Sequence, residues 1–445
     1  MSKIVLIGSN HAGTAAANTI LSQYPGNELT IFDRNSNISY LGCGTALWIG
    51  KQIKDTDGLF YSSAKALSDK GAKVLMESDI ERVDFAGRTV YAKGKDGGEI
   101  KESYDKLILA TGSLPIEPKI PGTKLKNVHF VKLFQDGDAV NKSLDDPSIK
   151  SVAVIGAGYI GVEIAEAVKR RGKRALLFEA ASTSLVSYYD PPFTEMMDKN
   201  LADNSVELHF GEMLKAIEGT DKVTGVVSDK GSYSVELVIL SIGFRPNNAL
   251  GKDHLKLFAN GSYQVDLHQQ TSDPNVYAIG DCATVWSNAV DGPAYIALAT
   301  NAVRSGIVAA HNVCGAALKS GGVQGSNGIC IFDLKMVSTG LNLAAAKKAG
   351  FDAVYTEFED LQKPAFIEGE NSKVKLRIVY DRKSRRILGA QMASHYDISM
   401  GIHMFSLAIE EKVTIEKLAL LDIFFLPHFN QPYNYITMAA LSAKE

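Results

Sequence analysis

Apolar residues come mostly in short unbroken runs, and the two clearest runs end in glycine. Lys3-Ile4-Val5-Leu6-Ile7 is followed by Gly8-Ser9-Asn10-His11-Ala12-Gly13, with a helix predicted from about Thr14. Ser151-Val152-Ala153-Val154-Ile155 is followed in the same way by Gly156-Ala157-Gly158-Tyr159-Ile160-Gly161. Short apolar runs bounded by glycine read as buried strands. The next strands are Leu29-Thr30-Ile31-Phe32-Asp33 and Ala175-Leu176-Leu177-Phe178-Glu179. Each unit thus predicts a strand, a glycine turn, a helix, a second strand and a closing acid. The acid follows the first glycine by 33 − 8 = 25 residues in one copy and by 179 − 156 = 23 in the other.

That order is the pattern of a dinucleotide-binding unit. The first glycine permits a tight turn, the second lets the backbone approach a pyrophosphate, and the third lets helix and strand pack closely. The helix N-terminus offers free N–H groups and a positive dipole to phosphate. The acid accepts hydrogen bonds from ribose hydroxyls. One site is therefore expected at Gly8, Asn10, Gly13 and Asp33, and a second at Gly156, Gly158, Gly161 and Glu179, with Gly243 placed beside the second. Asn10 stands where the second glycine belongs. Asparagine tolerates left-handed backbone better than most residues, so the turn is expected to survive. Two further strand ends fit the first site: Ala110-Thr111-Gly112 after Leu107-Ile108-Leu109, and Gly280-Asp281 after Val276-Tyr277-Ala278-Ile279, there ahead of a helix.

Residues 323–445 read differently. Val374-Lys375-Leu376-Arg377-Ile378-Val379-Tyr380 alternates as a half-buried strand does. Arg386 to Met392 forms the next strand, and helices are expected near Ser399–Glu411 and Thr414–Leu420. The expected organisation is a first dinucleotide domain in two parts, 1–115 and 245–322, a second over 116–244, and an α+β domain over 323–445. The fold class is α/β with two Rossmann-like domains and this C-terminal addition.

Composition narrows function by exclusion. The chain has 445 residues, 45% hydrophobic and 22% charged, with a net charge of −3. That balance offers no electrostatic attraction to nucleic acid or to an anionic membrane. There is no apolar run of membrane-spanning length, and the N-terminus passes straight into a strand, so the cytoplasm is the expected location. The cysteines Cys43, Cys282, Cys314 and Cys330 are widely separated, with neither a C-x-x-C pair nor zinc spacing, so no metal is expected.

Together, Gly8–Gly13 with Asp33, Ala110-Thr111-Gly112, Gly156–Gly161 with Glu179, and Gly280-Asp281 resemble the pyridine nucleotide-disulfide oxidoreductases over essentially the whole chain. The resemblance implies FAD at the first unit, a nicotinamide nucleotide at the second, Gly280-Asp281 closing over the flavin ribityl chain, and a homodimer made by the C-terminal domain, a tetramer being the alternative. Most members carry C-x-x-x-x-C after the first acid. Here Cys43 stands alone in Leu41-Gly42-Cys43-Gly44, with Ala46, Leu47 and Trp48 where a second thiol would fall. The chain is thus similar to the single-cysteine branch, which includes oxidases, peroxidases and coenzyme A-disulfide reductases. Ser9 to Gly13, Leu41 to Gly44 and Phe424-Phe425-Leu426-Pro427-His428-Phe429-Asn430 look closest to members that reduce O2 to water with NADH.

That resemblance makes Cys43 and His11 the expected catalytic pair. A free cysteine is ordinarily a small buried hydrophobe, and Cys282, Cys314 and Cys330 are read that way. Cys43 lies between two glycines where a helix could start, a setting expected to favour thiolate. Peroxide oxidises a thiolate to sulfenic acid, which without a second thiol must be reduced through the flavin. His11, at a helix start, is expected to be neutral because the dipole disfavours imidazolium. Glu179, followed by Ala180 and Ala181 rather than arginine, favours NADH over NADPH. Tyr159 is expected to cover the flavin until nicotinamide displaces it. The aromatic stretch around His428 is read as core or subunit contact, and His428 is given no acid–base role. The expected reaction is O2 to two waters with two NADH. The alternatives are NADH peroxidase, coenzyme A-disulfide reductase and, in another class, a flavin-linked redox sensor.

Overall fold

A computed structural model describes residues 2–444. Two five-stranded parallel sheets carry the two glycine motifs. The first runs in the order Val276–Ala278, Lys106–Leu109, Lys3–Ile7, Glu28–Phe32, Lys73–Leu75. The second runs Glu207–Phe210, Arg174–Glu179, Ser151–Ile155, Leu237–Leu240, Val128–Phe130. Each motif strand is central, buried at four of five positions, because helices cover both faces.

The two units differ in where the outermost strand comes from. In the first sheet it is Val276–Ala278, which follows the whole second unit in the chain. In the second it is Val128–Phe130, which precedes the motif. Each unit also carries a three-stranded antiparallel meander: Asp79–Asp84, Thr89–Lys93 and Glu99–Ser103 in one, Leu214–Gly219, Val223–Ser228 and Ser232–Ser234 in the other. Gly280-Asp281 enters a single 3-10 turn, Gly280–Cys282, and not a helix directly. A hairpin, Val285–Ser287 with Gly292–Ala294, comes before the helix Ala299–Val313. That helix lies tightly against His11–Gln23, since a Cβ on Gly306 would sit 2.3 Å from the Ala12 carbonyl oxygen.

The C-terminal region is a five-stranded antiparallel sheet, Asn327–Ile331, Leu334–Gly340, Ile387–Ser394, Lys373–Asp381, Ala353–Leu361, backed by Gly401–Glu410, Ile415–Ala419 and Tyr435–Leu441. Lys373–Asp381 is not half-buried as its alternation predicts; both faces are covered. Arg377, only 5% exposed, lies within 3.3 Å of Asp190 and donates to Glu357 at 2.6 Å. Asp190 in turn exchanges two 2.7 Å hydrogen bonds with Gln391. This buried polar cluster ties the second nucleotide unit to the C-terminal sheet, and its pairing offsets the cost of burying charge.

The aromatic stretch around His428 lies on the surface. Leu420 is 84% exposed and Tyr433 75%, with Phe424, Phe425 and Phe429 beside them. The core reading of that stretch does not hold within one chain. An apolar patch of this kind suits a subunit contact. Among the described residues, no helix is long and apolar enough to cross a membrane.

Candidate functional site

The glycine turns show which glycines the protein itself requires. Gly8 has φ +97° and Gly156 φ +98°. A Cβ on them would meet the carbonyl oxygens of Ala110 at 2.3 Å and Ser241 at 2.6 Å. On Gly13 or Gly161 it would lie 1.9 or 1.8 Å from the carbonyl oxygen of the first glycine. The second position differs. Gly158 is extended, φ −73° and ψ −173°, with no protein atom within 4 Å of a built Cβ. Asn10 has nearly the same backbone, φ −82° and ψ −148°. Its presence therefore owes nothing to left-handed tolerance, contrary to the sequence expectation. The second position needs no special backbone, and its constraint comes from the ligand. Neither Asn10 nor Gly158 makes a side-chain cap, so the first N–H groups of both helices remain available to a phosphate.

The closing acids have a structural role beyond the expected ribose contact. Asp33 Oδ2 accepts from the Ser9 amide at 2.8 Å and the Ser9 hydroxyl at 2.7 Å. Glu179 Oε2 accepts from the Ala157 amide at 2.9 Å, and Oε1 from the Ala181 amide at 2.9 Å. Each acid thus braces its own turn and keeps lone pairs for a ribose hydroxyl. Gly243, φ +105°, turns the chain out of the second sheet into Phe244–Pro246, which pairs with Ser113–Pro115.

The first turn opens into a cleft with about 1470 Å³ of empty space counted to its mouth. Its walls include every residue assigned to the first nucleotide (Gly8, Asn10, Gly13, Asp33, Ala110, Thr111, Gly112, Gly280 and Asp281), together with His11. Sequence reasoning missed Lys132. It follows Val128–Phe130 of the second unit, yet its ammonium donates to Ser113 Oγ at 2.5 Å, lies 3.4 Å from Asp281 and sits 4.5 Å from the Phe244 ring centre. Ser113 donates onward to Asp281 at 2.8 Å. No local pattern marks Lys132, because its partners are 19 and 149 residues away.

His11 is the first residue of the helix His11–Gln23. Its ring stacks on Tyr61, centroids 5.8 Å apart, with Nδ1 3.0 Å from the phenol oxygen. Burial pushes the Tyr61 phenol up to about 12, so it keeps its proton near neutrality. A phenol donating to Nδ1 leaves the ring proton on Nε2. Burial lowers the His11 pKa, Asp281 opposes this and Lys132 adds to it. The neutral ring is as expected, though burial is the main cause rather than the helix dipole. Tyr61→Phe removes a donor that favours the neutral ring, so His11 should titrate higher. We expect the acid limb of the activity profile to move to higher pH and kcat to fall about 2- to 10-fold, the worth of one hydrogen bond. An unchanged pH profile would remove Tyr61 from this role.

Cys43 lies in the single 3-10 turn Gly42–Gly44, which runs into the short helix Thr45–Ile49, and its side is open to solvent. All four cysteines are free, Cys282 buried as expected and Cys330 exposed where a buried residue was expected. The thiolate expectation for Cys43 is not met. Although the residue keeps access to solvent, the protein around its thiol partly desolvates it and raises its pKa, and the negative charges of Glu163 and Asp281 raise it further. A five-residue helix carries too little dipole to offset them. Among the described residues no hydrogen bond joins His11 to Cys43; they share the field of Asp281. Glu163, also missed, projects from Tyr159–Arg170, and burial with Glu166 nearby raises it to about 7. Glu163→Gln deletes a negative charge that acts on the thiol. The Cys43 pKa should therefore fall, and thiol alkylation as a function of pH should shift to lower pH. A shift to higher pH, or none, would contradict this electrostatic account.

Tyr159 is the first residue of its helix, and its ring lies against Tyr188 with centroids 4.4 Å apart. Its hydroxyl is 2.9 Å from that of Tyr189 and donates to the side-chain carbonyl of Asn327.

Residues 2–306 match the pyridine nucleotide-disulphide oxidoreductase family, and residues 326–434 match the dimerisation domain that accompanies it. The chain belongs to this family. Among its relatives, a Lactococcus lactis NADH oxidase is 58% identical over 99% of this chain and 100% of that protein. An Enterococcus faecalis NADH oxidase is 39% identical over 100% of this chain and 99% of that protein. A solved water-forming NADH oxidase from Lactobacillus brevis, bound to NADH, superposes with a TM-score of 0.96 at 37% identity, covering 99% of this chain and 98% of that one. The family's two-nucleotide plan accounts for the paired glycine turns, and its dimerisation domain falls on the exposed aromatic face.

Proposed function

We propose that the protein is a cytoplasmic FAD-dependent NADH oxidase that reduces O2 to two waters at the expense of two NADH, with Cys43 passing through a sulfenic acid. The observation that carries this reading is the solitary thiol of Cys43. It is free and open, and it lies in the field of Asp281, which also lines the cleft of the first glycine turn. Full-length similarity to NADH oxidases supports it.

FAD fits the first cleft, held by Gly8, Asn10, Gly13, Asp33, Ala110, Thr111, Gly112, Gly280 and Asp281. NADH fits the second turn, held by Gly156, Gly158, Tyr159, Gly161, Glu179 and Gly243. FAD supplies hydride acceptance from NADH and the two-electron reduction of O2 to the peroxide level. The chain's own residues do the rest. Glu163, raised to about 7 and acting on the thiol through its charge, is the base assigned to take the thiol proton so that Cys43 reacts as thiolate. The thiolate attacks one peroxide oxygen, the O–O bond breaks, and the departing hydroxide takes a proton to become the first water. His11, with its proton on Nε2, is placed to hold the peroxide by hydrogen bonding. A second electron pair from NADH breaks the S–O bond, returning thiolate and releasing the second water.

In the same reading residues 1–115 and 245–322 form the FAD domain, 116–244 the NADH domain, and 323–445 the subunit contact of a homodimer. Oxygen uptake against NADH oxidation tests the activity. Two NADH per O2 without free peroxide is expected. No oxygen uptake until peroxide is added, or turnover of coenzyme A disulfide instead, would overturn it.

A further inference from the structure

The Tyr159 hydroxyl reaches out of its own domain. It donates to Asn327 Oδ1, on the first residue of the C-terminal strand Asn327–Ile331, and lies 2.9 Å from the Tyr189 hydroxyl. Tyr159 is the donor in both contacts and carries one proton, so Asn327 and Tyr189 are the two acceptors that hold its hydroxyl from either side. Asn327 is itself fixed. Its Oδ1 also accepts from Ser338 at 3.1 Å, and its Nδ2 donates to the Gly325 carbonyl at 2.7 Å. Tyr189 is fully buried and packs on Phe193. A ring anchored this way cannot swing without giving up acceptors in two different domains.

We propose that Asn327 is a positioning residue, a catch on the C-terminal domain that holds Tyr159 in its closed place, so that NADH must release this catch to reach the flavin. This rests on the assignment of Tyr159 to the nicotinamide path. The binding-competent form is then a minority, and apparent NADH affinity is weakened by that fraction. Loosening the catch raises the fraction. It should act on NADH binding and leave the oxygen half of the cycle alone.

The test is steady-state kinetics at varied NADH on the FAD-loaded enzyme, with anaerobic rapid mixing to read flavin reduction. Asn327→Ala should lower the NADH KM about 2- to 10-fold, the range of one lost hydrogen bond, with kcat changing less than KM. Tyr159→Phe keeps the ring and loses the hydroxyl, so it should lower KM similarly. In the Tyr159→Phe background Asn327→Ala should add nothing, as a double-mutant cycle would show. Asn327→Ser, too short to reach Tyr159, serves if the alanine variant does not fold. An unchanged or raised KM, or an equal Asn327 effect with and without the Tyr159 hydroxyl, overturns the catch. If Tyr159→Ala changes neither KM nor flavin reduction, the placement of Tyr159 itself falls. If Tyr159→Ala acts and the Asn327 variants do not, only the catch falls.

Discussion

Cys43→Ser should turn a water-forming enzyme into a peroxide-forming one. The substitution leaves both glycine turns, the cleft and the NADH site untouched, so NADH should still be consumed. A serine hydroxyl cannot accept an oxygen atom from peroxide, since only the thiolate climbs to a sulfenic acid. Peroxide should therefore leave. The ratio of NADH to O2 should fall from two toward one, with nearly one peroxide released per O2 consumed. Added catalase should then return half of the oxygen. Cys43 is exposed, and the exchange of sulfur for oxygen there fills no core space, so folding is not at stake. A variant that still made only water would end the proposed thiol role.

Gly13→Ala should abolish flavin binding and damage the fold. The added methyl would lie 1.9 Å from the Gly8 carbonyl oxygen, which is backbone and has no rotamer to yield. Either the helix or the strand must move, and the turn between them is the phosphate cradle. A cost of about 3 kcal/mol or more is expected, at the severe end for single substitutions. The protein should purify without yellow colour and melt several degrees lower. Gly158→Ala is the contrasting control. No protein atom lies within 4 Å of the new methyl, and φ −73° suits alanine. Its fold and flavin content should be normal, while the NADH KM rises about tenfold or more, because the methyl occupies the side from which the pyrophosphate approaches. If Gly158→Ala loses flavin as Gly13→Ala does, this division between structural and ligand-imposed glycines is wrong.

The apolar runs, the glycine spacings and the closing acids are local, and so the sequence alone was enough to determine two dinucleotide units. The tight turns at Gly8, Gly13, Gly156 and Gly161 were legible because a strand, a turn and a helix start in so short a stretch leave few ways to pack. The sequence also showed that Cys43 had no thiol partner within disulfide-forming spacing. Asn10 was read to the right conclusion for the wrong reason, since its backbone torsions cannot be seen in the residue type.

Only the tertiary structure decided the surroundings of the chemistry. Burial raises the Cys43 pKa first, and the charges of Glu163 and Asp281, more than a hundred residues away, raise it further. Lys132 and Tyr61 enter the site through chain crossings that no periodicity records. Alternation in Lys373–Asp381 implied one wet face, but Arg377 is buried by Asp190 and Glu357. The reason is common to all of these. Local pattern specifies an element and its inward face, while the field at an atom sums over groups that meet only after the chain has closed on itself.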